Sequence, residues 1–195
     1  FGGCESGDAI CDVLFGDKVP SGKLTATMPK SVGQIPLYYN HLNTGRPLKE
    51  GKWFSKFTSN YLDIDNDPLY PFGYGLSYTT FKYGKPTLSS NTMTNNETIS
   101  VSVDITNTGN YDADEIAQMY IRDLAASVSR PVKELKGFER ISIKKGETKT
   151  VTFTITPEDL KFYNQELEYK NEPGEFEVMV GPNSKDVQTL TFTLK

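Results

Sequence analysis

Apolar and polar residues alternate with a period of two over much of the second half of the chain. Ile99, Val101, Val103 and Ile105 interleave with Ser100, Ser102, Asp104 and Thr106. Val151, Phe153 and Ile155 alternate with threonines, as do Leu190, Phe192 and Leu194, and Phe176, Val178 and Val180 form another set. Successive side chains of a strand point to opposite faces, so each run predicts one buried and one solvated face, the pattern of antiparallel sheets. Residues 115–122 and 136–143 read as two further strands. Turn formers at Asn107-Thr108-Gly109-Asn110, Lys144-Lys145-Gly146-Glu147 and Pro173-Gly174 separate them.

About seven strands in residues 78–195, with no cysteine among them, predict a mainly β fold, an immunoglobulin or fibronectin type III-like β-sandwich. Upstream the pattern changes. Residues 8–15 carry Ile10, Val13 and Leu14 at helical spacing, with Ser6 placed to cap the start, Asp8 in the first turn and Gly16 placed to end it. So short a helix needs its apolar face covered. Little nearby can do so, since Pro20-Ser21-Gly22 reads as a turn and residues 23–28 as one short strand. A glycine-rich loop, one helix and one strand make the C-terminal remnant of an α/β domain, assigned to residues 1–40. Residues 41–77 form an extended connector leading into the run from Asp67 to Phe81. Its prolines and glycines forbid a helix, and its aromatic rings need burial, so it predicts a rigid strap between two bodies.

Composition narrows the function classes. The chain has 195 residues, 36% hydrophobic and 12% aromatic, enough for a packed core. A net charge of −4 argues against a nucleic-acid partner, and no apolar run reaches the length of a membrane span. The first residue is Phe, so the sequence reads as part of something longer. Cys4 and Cys11 read as free, buried thiols. The N-terminal glycine cluster lacks the ending of a phosphate-binding loop, and Asp63 to Asp67 lacks the glycine and bidentate glutamate of a calcium loop. No metal or cofactor is therefore expected. His41, the single histidine, has no nucleophile elbow to serve and reads as structural. Trp53, Phe54, Phe57 and Tyr61 offer faces suited to the apolar faces of sugar rings, against the simpler role of pinning the connector to its neighbours. Asp123, Arg130, Glu134 and Glu139 read as solvated surface charges.

Several long stretches carry a resemblance. They include Gly7-Asp8-Ala9-Ile10, Val13-Leu14-Phe15-Gly16-Asp17, Pro20-Ser21-Gly22-Lys23-Leu24, Ser31-Val32-Gly33-Gln34-Ile35-Pro36 and His41-Leu42-Asn43-Thr44-Gly45-Arg46-Pro47. The Leu69 to Phe81 strap, Val103 to Gly109, Gln118-Met119-Tyr120 and Ser129 to Glu139 extend it. Through these the chain resembles the C-terminal part of bacterial family 3 glycoside hydrolases, the β-glucosidase and β-xylosidase group. The resemblance implies a (β/α)8 barrel, an α/β sandwich domain and a fibronectin type III-like domain, of which this chain would hold the end of the second and all of the third.

The activity implied is retaining hydrolysis of terminal β-D-glucosyl residues, which needs two carboxyl groups about 5 Å apart. In the family these lie in the barrel and earlier in the second domain, and neither motif occurs here. No catalytic residue is carried over, Glu5 included. The implied partners are the upstream barrel and α/β domains of the same enzyme, a β-glucoside or oligosaccharide substrate and, in some relatives, a homodimer mate. The implied location is periplasmic or secreted. Because the connector of some relatives approaches a substrate cleft, Arg46, Trp53 and Tyr61 become candidates for contacts beyond the cleaved bond. Two other readings are a freestanding carbohydrate-binding or adhesion module and a structural spacer. The helix at residues 8–15 weighs against the first and the aromatic strap against the second.

Overall fold

A computed structural model describes residues 3–48 and 52–195. Helix α1 (Ser6–Phe15) is followed, among the described residues, by strands β1 (Phe81–Tyr83), β2 (Thr87–Leu88), β3 (Thr92–Met93), β4 (Ile99–Asn107), β5 (Ala113–Asp123) and β6 (Glu134–Ile143). Then come β7 (Thr148–Ile155), β8 (Phe162–Tyr163), β9 (Tyr169–Lys170), β10 (Gly174–Gly181) and β11 (Gln188–Leu194). In one sheet β4 pairs antiparallel with β7 on one edge and with β1 and β2 on the other. The facing sheet runs β3-β11-β10-β5-β6, antiparallel except where β3 lies parallel to β11. A small β8-β9 hairpin stands apart.

The alternating residues do what their period dictates. Ile99, Val101, Val103 and Ile105 point into the space between the sheets, as do Val151, Phe153 and Ile155 from β7, which lie opposite them in register. Phe176, Val178 and Val180 close the core from β10, with Phe176 stacked on Phe192 at 5.4 Å between ring centroids. Each such buried side chain contributes roughly 1.5–3 kcal/mol. The two sheets pack as a β-sandwich, and the chain is mainly β.

One buried polar residue ties the end of β4 to its surroundings. Asn107 is fully buried, and its amide donates to the carbonyls of Tyr111 (2.7 Å) and Ile143 (3.0 Å). Its oxygen accepts from the Thr79 hydroxyl (2.6 Å) and the Gly109 N–H (3.1 Å). Any side chain at Gly109 would collide with Thr79 and the Thr80 backbone, which is why glycine stands in this turn.

The structure corrects several expectations. β5 has no solvated face over residues 117–121, all of which are buried, because the strap covers the side that faces away from the core. Residues 23–28 form no strand. They run extended beside residues 69–74, joined by a single bridge between Met28 and Tyr70 and by bonds from Leu24 N–H to the Tyr74 carbonyl and Gly73 N–H to the Leu24 carbonyl, both 2.8 Å. α1 starts at Ser6, whose hydroxyl donates to the Gly3 carbonyl instead of capping, while Gly16 ends the helix in the left-handed conformation as expected. Cys4 and Cys11 are free but exposed. Cys11 is exposed because the described residues leave most of α1 uncovered, its Ile10, Leu14 and Phe15 being 58%, 71% and 82% accessible.

Candidate functional site

The strap lies on the outer face of the β5-β10 sheet, and aromatic stacking fixes it there. Tyr39 is sandwiched between Phe72, at 4.2 Å between centroids, and the edge of Tyr120 at 5.8 Å. The Gln118 amide donates to the carbonyls of Gly73 (3.1 Å) and Pro182 (2.7 Å), and its oxygen accepts from the Tyr120 hydroxyl. Gly73 has φ of +79°, and a side chain there would run into Gln118. Burial pushes the Tyr120 phenol well above its ordinary range. Nearby, Lys23 donates to both oxygens of Glu115 at 3.1 and 3.2 Å, and the Tyr83 hydroxyl donates to the same carboxylate at 2.9 Å. A carboxylate at β5 is thus neutralised by a lysine from the far N-terminal segment.

Between connector and sandwich lies a cleft of about 660 Å³. One wall includes Tyr38 and Tyr39, just ahead of the connector, with His41 and Tyr61 from it, and the sandwich side includes Val132, Lys133, Ser184 and Lys185. Gln34, fully buried, holds the wall together. Its amide donates to the carbonyls of Asp65 (3.0 Å) and Asp67 (3.1 Å), and its oxygen accepts from the Lys30 N–H at 2.7 Å. The Gln34 carbonyl accepts the Tyr61 hydroxyl at 2.8 Å. Across the cleft, Lys185 pairs with Asp67 at 2.8 Å, and that bond raises the lysine pKa. Lys133 donates to the Ser184 carbonyl at 2.6 Å, while burial and then the neighbouring Arg122 charge lower its pKa.

Of the three residues singled out from sequence, the structure places only Tyr61 in this cleft. Arg46 is exposed and enters the described bonds through its carbonyl, which accepts from Ser59 N–H at 2.8 Å. Trp53 is 59% exposed with Phe54 beside it at 5.8 Å, and residues 49–51 between Arg46 and Trp53 lie outside the described residues. The acidic run at 63–67 is taken up by lysines, Asp65 pairing with Lys30 at 2.7 Å and Asp67 with Lys185. The hydrogen bond from Lys30 lowers the Asp65 pKa.

Two of the residues read as solvated charges are something else. Arg130 pairs with Glu134 at 2.7 Å and lies over the Phe162 ring at 4.5 Å. Asp123 is partly buried, which raises its pKa. The anchors Gln34, Gln118 and Glu115 escaped sequence reasoning. The signal for the last two was a polar residue whose partner is supplied by a distant segment, which periodicity within one strand does not reveal.

Residues 1–78 match the family model described as the glycosyl hydrolase family 3 C-terminal domain, and residues 115–184 match a fibronectin type III-like domain. The chain belongs to glycoside hydrolase family 3, as the C-terminal part of such a protein. It is 56% identical over 194 residues to the periplasmic beta-glucosidase of Salmonella typhimurium, an alignment that takes in 100% of this chain and 25% of that protein. A beta-xylosidase of Formosa agariphila is 46% identical over 100% of this chain and 26% of its own length. Among solved structures, beta-glucosidase from Listeria innocua in complex with isofagomine superposes with a TM-score of 0.93 at 45% identity, over 100% of this chain and 27% of that one. The family 3 chain thus spans about a quarter of the length of the curated relatives it matches.

Proposed function

We propose that this chain is the non-catalytic C-terminal portion of a retaining β-glucosidase that hydrolyses terminal β-D-glucosyl residues. The upstream barrel and α/β domains of the same enzyme supply the carboxyl pair, and the enzyme works in the periplasm or outside the cell. The observation that carries this reading is an uncovered apolar surface on the residues matched to the hydrolase domain. α1 presents Ile10, Leu14 and Phe15, and a groove of about 670 Å³ is lined by Leu24, Met28, Leu69, Tyr70, Tyr74 and Leu76 among others. A freestanding sugar-binding module has no use for such a surface, whereas a body that seats other domains does. Arg46, Trp53 and Tyr61 extend the substrate-facing surface beyond the cleaved bond, with the exposed Trp53 face suited to stacking on a sugar ring.

The test pairs intact mass with nitrophenyl-β-glucoside hydrolysis on one sample. The 21.8 kDa chain alone is expected to be inert. The same chain joined to its upstream domains is expected to turn over the glucoside. Hydrolysis by material free of any larger polypeptide would mean that these residues hide a carboxylate pair, and the proposal would fall.

A further inference from the structure

The cleft between connector and sandwich has the features of a ligand site in its own right. Its volume of about 660 Å³ falls within the range of pockets that hold small molecules. Its walls are fixed before any ligand arrives, by the Gln34 bonds, the Tyr39 stack and the bond from Val132 N–H to the His41 carbonyl at 2.9 Å. We infer that this cleft binds an uncharged, polyhydroxylated ring, a mono- or disaccharide, at a site formed jointly by the connector and the sandwich.

The lining chemistry sets the ligand class. Tyr38, 59% exposed, offers an aromatic face of the kind that packs on the C–H face of a pyranose. At the rim, Lys185 and Asp67 spend one proton and one oxygen on each other. The ammonium keeps two donors and the carboxylate a second acceptor, side by side, which matches a vicinal diol. The His41 Nδ1 faces the Leu42 carbonyl at 3.0 Å. A carbonyl only accepts, so Nδ1 carries the proton, and in the neutral ring Nε2 is left as an acceptor for a hydroxyl.

Neither lysine of the lining is held open for an anion: Lys185 is paired with Asp67, and Lys133 is turned to the Ser184 carbonyl. The choice of glucosides as probes rests on the β-glucosidase reading above, whereas the site itself rests on the cleft.

The experiment titrates the ¹⁵N-labelled 195-residue chain with cellobiose, glucose and, separately, glucuronate, and follows amide shifts. Cellobiose is expected to give saturable shifts confined to residues 36–44, 59–68, 131–133 and 184–185. Tyr38→Ala, which removes an exposed ring, is expected to weaken binding about tenfold with the sandwich spectrum unchanged. Lys185→Met, which removes the rim donors, is expected to weaken it by a second route. Absence of saturable shifts with both neutral sugars, the same affinity in Tyr38→Ala, or tighter binding of glucuronate than of glucose would overturn the inference. Hydrolysis by the joined enzyme is read separately, so failure of the cleft and failure of the glucosidase reading are told apart.

Discussion

Removing the Glu115 carboxylate tests whether the N-terminal segment and the sandwich are one folding unit. Glu115 sits on β5 with 5% of its side chain exposed, against 14% for its partner Lys23. It accepts three bonds, two from Lys23 and one from Tyr83. Deleting one member of a buried pair costs about 3–5 kcal/mol, because the surviving charge is left without compensation. Lys23 keeps some contact with water, so Glu115→Ala is expected near the lower end, about 3 kcal/mol. Glu115→Gln keeps one oxygen for Tyr83 and loses the charge, for about 1–2 kcal/mol. Urea unfolding of the 195-residue chain, followed by far-UV circular dichroism, gives both values. A cycle with Lys23→Met isolates the pair, and a coupling of about 2 kcal/mol is expected, since residues sharing a buried network fail to add. If Glu115→Ala changes stability by less than about 0.5 kcal/mol, or the coupling vanishes, the pair is a crossing of side chains and not a tie.

Alkali should attack the same place. Burial and then the Glu115 charge raise the Tyr83 phenol pKa above its ordinary value of 10.0, so the folded state holds this proton more tightly than the unfolded state. Its contribution is intact below pH 10.0 and falls as pH rises beyond it, so urea midpoints should drop above that pH, and by less in Tyr83→Phe. Asn107→Ala leaves the buried Ile143 carbonyl, the Tyr111 carbonyl and the Thr79 hydroxyl without their partner, for an expected loss of about 2–4 kcal/mol, read as a lower unfolding temperature. Gly73→Ala combines positive φ with a collision against Gln118, and is expected to release the strap, seen as faster amide exchange at Phe72 and Gly73 and at residues 117–121. In the isolated chain, amides of α1 should exchange rapidly while those of β4 and β10 stay protected; protection in the helix and none in the sandwich would overturn the account of where the core lies.

The sandwich was legible because its physics is local. A period of two in β4, β7, β10 and β11 announces which side chains go inside, and the Asn107 and Gly146 turns supply the breaks. The strap was legible as a docked segment, because rings such as Phe72 and Tyr74 need burial. What it docks on was not. Gln118 and Tyr120 look like the solvated half of an alternating strand until a segment more than forty residues upstream closes over them. The cysteines were misjudged for the opposite reason, since a thiol on a short apolar helix implies a cover that the described residues do not provide. Of the candidate contacts, Tyr61 could be placed only once Gln34 was seen to hold its hydroxyl, a contact between residues 27 positions apart.

Because β5 is packed on both faces, its register serves two masters. Ala117, Met119 and Ile121 fill the core, while Gln118 and Tyr120 receive the strap. A slip by one residue would exchange the two sets. For protein engineering this defines the transplantable cassette. A sandwich moved between relatives as residues 78–195 alone would arrive with its outer face tailored to a strap left behind, whereas one cut near Lys23 would carry its own lining with it.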